Sequence, residues 1–411
     1  MGIFERFLGK GRTPILSFMC LSIAILLVGC TKQQSISEST SDSSKSNIAE
    51  LKYLVLDGSP YNRGLVHGKT LKNEIREVVD RWNADIAKSS GMDSGAFIKK
   101  FIADTDFITA MKKWTPGLLE EVKGISDGSE IDFNTILTYN VCDEVWHYID
   151  ENISDKCSAI GISKRSDKPS YVAQNMDLER FRNGYQVLLH IKYENSDLEC
   201  FVLTSAGLIC LNGINNKSIG VCSNYLDQVT NSKEGLPVGF VVRGLLEQTT
   251  LENAVKFIKT VKHASGENYI LGGPEAVYDF EASSAKVVEY VPPPDVQAIY
   301  HTNHPLVNDS YNERYMRIIE KYGQEEKPYP DSYIRLKSLE MRLREAKELD
   351  IEEIKTVLSS YDSDEHPVCC PYDEAKPYFT FGCTIMVLSE SPELHIAPGH
   401  PDVTPFQVFR F

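Results

Sequence analysis

The chain has 411 residues and a formal net charge of −15, and this acidic balance argues against a surface that binds nucleic acid. Its hydrophobic share of 42% and charged share of 25% are ordinary for a folded globular protein, which excludes a wholly disordered or fibrous chain. There is no internal repeat and no glycine-rich phosphate loop, so no cofactor is predicted.

The first thirty residues are typical of a targeting segment. Basic residues precede an apolar run, Pro14–Val28, which suits a signal-peptide core and is shorter than the roughly 20 residues of a spanning helix. The run leads into "LVGC", which resembles a bacterial lipobox. Residues 1–29 are therefore predicted to be a lipoprotein signal peptide, with cleavage before Cys30 and lipid on its thiol. The alternatives are a plain signal peptide cut elsewhere and an uncleaved anchor.

The next segments lead from the membrane to the folded part of the protein. Residues 30–50 are serine-rich and nearly free of apolar side chains, which predicts a flexible tether. Residues 51–156 are predicted to be a strand followed by helices. Apolar residues recur there at three- and four-residue steps, which predicts one helix with a single buried stripe: Leu65, Leu71, Ile75, Val78, Val79, Trp82 and Ile86.

From residue 157 onward the pattern favours strands. Short apolar runs such as "CSAIGIS", "SYVAQNM" and "SIGVCSNYL" alternate with turn signals. Helices are predicted at about 250–262, with a capping box through Thr249 and Glu252, and at 332–360. "CTIMVLSE" and "ELHIAPG" predict a closing hairpin. Strand clusters flanked by helices predict an α+β sandwich of two sheets under helical layers, with no domain boundary inside 51–411.

Cys157 is the first candidate catalytic residue. If "DKCSAIGISKRSDKPSYVAQNMDLE" folds as a hairpin about Ser166–Asp167, Cys157 falls opposite residue 176 and within one step of Asn175 and Asp177. A one-residue slip would change which of them shares its face. A thiol acts as a nucleophile in its thiolate form and needs a base nearby. No histidine lies close to it in this stretch of sequence.

Another base is open to a cysteine if the peptide bond before it is cut. Its own α-amine has a pKa of roughly 7.7–8.0, and it lies on the same residue as the thiol. Asp177 would then hold the ammonium group, and asparagine side chains would donate to the oxyanion. The alternative is that Cys157 has only a structural role, as a buried cysteine of a strand, which is common.

Several blocks together resemble one protein family. "GSPYNRGLVHGK", "CSAIGI", "AQNMDLE", "SIGVCSNYL", "HTNHPL", "SYIRL" and "GCTIMVLSESPELHIAPGHP" occur in the order seen in the isopenicillin-N acyltransferase family. That family belongs to the N-terminal-nucleophile hydrolases, which include bile-salt hydrolases. The resemblance covers nearly all of residues 51–411. It implies a four-layer αββα sandwich and a precursor that cuts itself before a cysteine, which then attacks amides or thioesters.

The resemblance also implies site residues. Cys157 corresponds to the nucleophile, Asp177 to the aspartate that binds the freed amine, and Asn224 and Asn303 to the oxyanion-hole and second active-site asparagines. Arg335 in "SYIR" corresponds to a late arginine of the family. Gln174 stands where the bile-salt branch has an arginine, so the acyltransferase branch fits better.

Cleavage between Lys156 and Cys157 would give a small chain, 51–156 beyond the tether, and a large chain, 157–411, which stay associated. The acyltransferase branch commonly has glycine before the nucleophile, and Lys156 departs from it. Lysine at this position does not forbid the acyl shift.

No metal site is predicted. His301 and His304 have a metal-like spacing, but no further ligand stands at a matching interval. Cys369–Cys370 is open to interpretation as a ligand pair, an adjacent disulfide or a chance pairing in a loop. The cysteine spacing matches no zinc pattern, and most cysteines are expected to be buried.

The sequence thus predicts a self-cleaving cysteine amidohydrolase or acyltransferase that acts on a linear amide outside the cytoplasm. Its expected partners are a small amide or short peptide, and the membrane through the lipid anchor alone. An uncleaved binding module on the same fold is the alternative. A papain-type protease is disfavoured because no suitable cysteine–histidine–asparagine spacing appears.

Overall fold

The computed structural model describes residues 50–149, 157–293, 296–323, 330–360 and 368–411. The predicted signal peptide, Cys30, almost all of the tether and Lys156 lie outside these ranges. No helix within the described ranges has the length and hydropathy needed to cross a membrane.

Within residues 50–149 the fold is a strand followed by seven helices, as the sequence predicted for this part of the chain. The predicted single helix is wrong in one respect, because it is interrupted at Leu71, whose φ of −109° and ψ of 30° leave the helical region. The buried stripe is as expected from Ile75 to Ile86. The elements are β1 (Lys52–Leu56), α1 (Pro60–Thr70), α2 (Lys72–Ser90), α3 (Ser94–Asp104), α4 (Phe107–Trp114), α5 (Pro116–Ser129), α6 (Phe133–Tyr139) and α7 (Cys142–Ile149).

Helices α1 and α5 touch through their backbones. A Cβ added at Gly64 would lie 1.9 Å from the Glu121 carbonyl oxygen, and one at Gly124 would lie 2.1 Å from the Tyr61 oxygen. Any side chain at either glycine would therefore force the two helices apart. This explains the glycines of "GLVHG" as helix-packing residues.

Two buried arginines converge on one carboxylate in this helical layer. Arg63 Nη2 lies 3.0 Å from Glu121 Oε2, and Arg243 Nη1 lies 2.9 Å from Glu121 Oε1. All three side chains are at most 2% exposed. The cluster links α1 and α5 to the later helix that carries Arg243.

The strands form two sheets. The eight-stranded sheet has the order β1-β4-β5-β6-β7-β8-β9-β10, in which β1 runs parallel to β4 and the other pairs are antiparallel. The six-stranded antiparallel sheet has the order β11-β2-β3-β12-β13-β14. The strands are β2 (Ser158–Ile162), β3 (Ser170–Glu179), β4 (Gln186–Lys192), β5 (Glu199–Ser205), β6 (Asn212–Asn215), β7 (Gly220–Tyr225), β8 (Glu267–Gly272), β9 (Val277–Ala282), β10 (Val287–Tyr290), β11 (Ile299–His301), β12 (Tyr378–Leu388), β13 (Glu393–Ala397) and β14 (Gln407–Arg410).

In the described ranges after residue 156, five further helices lie among the strands: α8 (Val238–Leu246), α9 (Leu251–Thr260), α10 (Glu313–Tyr322), α11 (Pro330–Glu345) and α12 (Ile351–Leu358). The sequence predicted α9, although its cap is Thr250, which accepts from the Asn253 backbone N–H, and not Thr249. The helix predicted at 332–360 is two helices. Helices α8 and α10 were not predicted.

Three apolar clusters define the layers. One lies between the sheets and includes Val172 of β3 and Phe201 of β5. A second joins the outer face of the eight-stranded sheet to helices α2–α9. A third joins the outer face of the six-stranded sheet to α11 and α12. Helix, sheet, sheet and helix follow one another, which confirms the αββα fold.

Candidate active site

The predicted nucleophile lies at the start of a hairpin. Strands β2 and β3 pair with Ser158 opposite Asn175, so Cys157 comes opposite Met176. The hairpin turns at Ser166–Asp167. This is the predicted register, and it is confirmed. Cross-strand neighbours project to the same face of a sheet, so the thiol lies on the face of Met176 that looks toward the other sheet.

The Cys157 side chain is 4% exposed and lines a cavity. Its Sγ lies 3.7 Å from Met176 Sδ and 3.9 Å from the Asp177 backbone oxygen. The cavity has a volume of about 50 Å³, room for a few water molecules. Its walls come from α7, α8 and the ends of β3 and β7.

Arg335 of α11 joins the main chain of Cys157 to Asn303. Its side chain is buried, and Nη1 donates to the Cys157 backbone oxygen at 2.5 Å and to Ser158 Oγ at 3.1 Å. Nη2 donates to Asn303 Oδ1 at 3.0 Å and lies 3.4 Å from Asp331 Oδ2. The guanidinium thus fixes the carbonyl of the predicted nucleophile and the orientation of the Asn303 amide.

Asn303 is held on several sides. Its backbone N–H donates to Ser332 Oγ at 2.9 Å, and Gln228 Nε2 donates to its backbone oxygen at 3.1 Å. Because Oδ1 accepts from Arg335, Nδ2 points toward β7, where it donates to the Tyr225 backbone oxygen at 3.2 Å. An amide nitrogen has two hydrogens, and this contact uses one of them.

Asn224 belongs to a buried polar network that crosses between the sheets. Its Oδ1 accepts from Gln174 Nε2 at 3.0 Å, and its Nδ2 donates to Asn268 Oδ1 at 2.9 Å. The network continues from Asn212 Nδ2 to Gln174 Oε1 at 2.7 Å, and from Asn268 Nδ2 to Asp279 Oδ1. Burial raises the pKa of Asp279 to about 7, against the opposing charge of His301.

Three described residues end strand β7. Ser223 and Tyr225 line the cavity, and Asn224, which lies between them, does not. Side chains alternate along a strand, so Asn224 faces the other sheet while its two neighbours face the helices. The oxyanion role of Asn224 stays a prediction. Sequence reasoning missed the rest of the network, although polar residues at two-residue steps in apolar strands are a signal for it, as in "VYDFEA".

Asp177 approaches the start of β2 from the opposite face. It lies two residues after Asn175, whose Nδ2 donates to the Leu358 backbone oxygen at 2.8 Å under α12. Burial, and then the Asp177 charge, raise the pKa of the Cys383 thiol on that same side. The Cys157 thiol and the Asp177 carboxylate are therefore separated by the main chain of the sheet.

Charged side chains also line the cavity. Arg182 Nε donates to Glu179 Oε2 at 2.7 Å, and both residues border the space, as do Asp143 and Glu267. Burial raises the pKa of Asp143 to about 6. Among the described residues, three acids and one arginine line the cavity, so acids outnumber bases there.

The two histidines with metal-like spacing have other partners. His301 Nε2 lies 2.8 Å from Glu281 Oε1, and His304 Nδ1 lies 2.7 Å from Ser332 Oγ. The described residues do bring together Cys369, His400 and Asp402, with one possible ligand atom from each within 4.8 Å of the others. This cluster lies on the outer side of the six-stranded sheet.

The chain is similar to members of a known family. A sequence model of "Acyl-coenzyme A:6-aminopenicillanic acid acyl-transferase" matches residues 163–388, a stretch that begins six positions after Cys157. The chain is also 24% identical to the 40 kDa form of the acyl-coenzyme A:6-aminopenicillanic-acid-acyltransferase of Emericella nidulans. That alignment spans 330 residues, 79% of this chain and 86% of the relative.

Two solved structures are more distant. The Caenorhabditis elegans orthologue of N-acylethanolamine-hydrolyzing acid amidase is 17% identical, with a TM-score of 0.39, over 56% of this chain and 92% of that one. A variant of the conjugated bile acid hydrolase of Clostridium perfringens is 12% identical, with a TM-score of 0.42, over 61% of this chain and 97% of that one.

Proposed function

The chain belongs to the acyl-coenzyme A:6-aminopenicillanic acid acyl-transferase family, and from that premise we propose that it is a cysteine amidase that cuts its own chain before Cys157. Membership makes it an acyltransferase or amide hydrolase of the N-terminal-nucleophile class. One observation carries the finer proposal. The buried thiol of Cys157 faces a cavity at the very start of β2, while Arg335 holds its carbonyl oxygen.

Maturation would begin with attack of Cys157 Sγ on the carbonyl carbon of Lys156. The peptide C–N bond breaks, a thioester forms, and the thiol proton passes to the departing amine of Cys157. Water then hydrolyses the thioester, which leaves a carboxylate on Lys156 and a free thiol and amine on Cys157. The hydrogen bonds that Arg335 donates to Cys157 and Ser158 would keep the start of β2 in place during both steps.

Turnover uses the same two groups. The α-amine takes the thiol proton as Sγ attacks the substrate amide, and Asn224 and Asn303 donate to the oxyanion. The amine product leaves with a proton, and water releases the acyl group. Asp177 would hold the ammonium from the face opposite to the thiol, which fits the separation of the two side chains across the sheet.

The proposed substrate is a small linear amide or a short peptide outside the cytoplasm. The apolar part of the cavity wall, which includes Trp146, Met176, Leu178 and Val242, suits a hydrocarbon acyl group. Acyl-coenzyme A is scarce outside cells, so we expect hydrolysis to exceed transfer. Strong transfer from acyl-coenzyme A, with no amide hydrolysis across a broad substrate panel, would contradict this.

The deciding experiment is intact-mass and denaturing-gel analysis of the chain from residue 31. We expect two fragments, the larger of which starts at Cys157. All three tryptophans, at 82, 114 and 146, precede the cut, so only the smaller fragment should show tryptophan fluorescence. Cys157→Ala should stay whole, and Cys200→Ala, which removes a buried thiol elsewhere, should still be cut. A folded wild-type chain that stays whole would favour the uncleaved binding module.

A further inference from the structure

Three side chains of different chemistry meet far along the chain from Cys157. Cys369 is buried in the segment that follows α12, and His400 and Asp402 lie in the turn after β13. Cys369 Sγ lies 3.6 Å from Asp402 Oδ1, and His400 Nδ1 lies 2.5 Å from the same oxygen. We call these three residues the Cys369 cluster.

Backbone contacts fix the two segments that carry the cluster. Cys369 N–H donates to the Ser360 oxygen at 3.2 Å, and its neighbour Cys370 accepts from Thr380 N–H at 2.7 Å. In the other segment the Thr404 N–H donates to the His400 oxygen at 3.1 Å. Ligands held in place by the main chain lose little entropy when they bind an ion.

We propose that the Cys369 cluster binds one divalent transition-metal ion, with zinc(II) as the preferred ion and the fourth position open to water or another ligand. Thiolate sulfur, imidazole nitrogen and carboxylate oxygen are the donors that zinc takes in proteins. Thiolate and carboxylate together neutralise its two positive charges. The thiol proton is released to solvent on binding.

Three ligand atoms define three edges of a tetrahedron: one fits a zinc ion, one requires a small movement, and the atoms of the third, sulfur and nitrogen, lie within 4.8 Å of each other. With usual zinc bond lengths, the sulfur–oxygen edge is about 3.5 Å, close to the 3.6 Å between Cys369 and Asp402. The nitrogen–oxygen edge is about 3.3 Å, whereas His400 and Asp402 are 2.5 Å apart. The imidazole therefore has to exchange its hydrogen bond to Asp402 for the metal and move back by about 1 Å.

The ion would act on structure rather than on the reacting atoms. Val368, next to Cys369, accepts from Asn175 Nδ2 at 3.0 Å, and Asn175 lies two residues from Asp177 on β3. Tying Cys369 to the β13 turn would stiffen the support under this strand. None of the three ligands takes part in the proposed cleavage, so binding of the ion does not require it.

The test uses the purified chain from residue 31 and Cys157→Ala, so that cut and uncut forms are compared. After chelation, each is titrated with zinc(II) and cobalt(II). We expect one equivalent to bind, a rise in melting temperature, and a thiolate-to-cobalt charge-transfer band in the near ultraviolet. His400→Ala, at a partly exposed position, should weaken binding at least tenfold.

The neighbouring cysteine provides the matched control. Cys369→Ser should abolish the cobalt band. Cys370→Ser should keep it, because Cys370 Sγ lies against the Tyr378 backbone oxygen at 3.6 Å and outside the cluster. Absence of the band in the wild type, a band that persists in Cys369→Ser, or unchanged cobalt affinity in His400→Ala would each overturn the proposal. If Cys369→Ser does not fold, the cobalt affinity of His400→Ala decides.

Discussion

Arg243, in the helical layer over the eight-stranded sheet, and Arg335, in the layer over the six-stranded sheet, are both fully buried but have different partners. Arg243 donates to both carboxylate oxygens of Glu121, at 2.9 and 3.2 Å. Arg335 donates mainly to uncharged oxygens, those of Cys157, Ser158 and Asn303, and its carboxylate neighbour Asp331 is 3.4 Å away.

The difference separates stability from function. A buried arginine that pairs with a carboxylate of another helix links the two helices. If the carboxylate is removed, the arginine charge stays buried without compensation. A buried guanidinium that donates to the main chain of a predicted nucleophile sets geometry instead. We therefore expect the first region to control folding and the second to control turnover.

The largest expected effect tests the first region. Glu121→Gln leaves Arg63 and Arg243 buried without their carboxylate, so the free energy of unfolding should fall by about 3–5 kcal/mol. Denaturant unfolding measures it. Glu130→Gln, at a carboxylate that is 65% exposed, should change stability by less than about 1 kcal/mol. Equal losses in the two variants would remove the distinction.

Asn224 tests whether the polar network serves the reaction. Loss of one oxyanion donor typically lowers kcat by about 10²–10³-fold, and we expect this of Asn224→Ala, with KM changed much less. Asn216→Ala, in the turn after β6, should keep full turnover. Steady-state kinetics on a cleaved amide decides, and a folded Asn224→Ala protein with nearly normal kcat would remove Asn224 from the oxyanion hole.

Arg335 tests the second region directly. Arg335→Met removes charged hydrogen bonds worth about 1.5–3 kcal/mol, so kcat/KM should fall about 10- to 100-fold. Stability should fall less than in Glu121→Gln, because the Asp331 side chain left behind is 11% exposed and reaches water. Arg344→Met, on the exposed side of the same helix, should keep full activity. The comparison fails if Arg335→Met unfolds the protein without slowing the folded fraction.

The smallest expected effect is a pH dependence of stability. It arises because two buried acids of the first region, Glu121 and Glu144, have pKa values shifted in opposite directions. Burial raises the pKa of Glu121, but Arg243 and Arg63 lower it further, so it ends below its ordinary value. Burial, with the Asp143 charge, raises the pKa of Glu144 from 4.5 to about 7. Folded Glu144 therefore holds a proton that the unfolded chain releases, and its contribution to stability declines as the pH rises from about 4.5 through 7.

Glu144→Gln should remove that pH dependence. Glutamine can keep the acceptor for the Val238 N–H and the Ser265 hydroxyl, at 2.9 and 2.7 Å. Relative to wild type, the variant should gain about 1–3 kcal/mol of stability between pH 5 and pH 8. Thermal unfolding across this range measures it, with the exposed Glu120→Gln as the flat reference. A variant whose stability relative to wild type is the same at pH 5 and pH 8 would show that burial does not raise the pKa of Glu144.

The sequence predicted the local geometry of the site better than its long-range contacts. The register of β2 and β3 follows from strand alternation and the turn at Ser166–Asp167, so the neighbours of Cys157 were predictable. The hydrogen bond from Arg335 to Cys157 spans 178 positions, and only a family resemblance pointed to that arginine. No periodicity carries such information.

The two missed helices differ in what the sequence offered. Helix α8 is a short apolar run, "VGFVVRGLL", which periodicity cannot tell from a buried strand. Helix α10 has apolar residues at helical spacing, Tyr315, Ile318, Ile319 and Tyr322, so periodicity does predict it and the sequence reasoning overlooked it. Cys369, His400 and Asp402 are close only because the turn after β13 meets the segment after α12, which no spacing rule predicts.

Strand β1 pairs in parallel with β4, and these strands lie on opposite sides of the proposed cut. Before the cut, a covalent linkage keeps the two segments at a high effective concentration during folding. After it, refolding would require two separate chains to meet, so recovery would depend on dilution. Maturation would thus turn a reversibly folding precursor into an enzyme that, once unfolded in a dilute medium, is permanently lost.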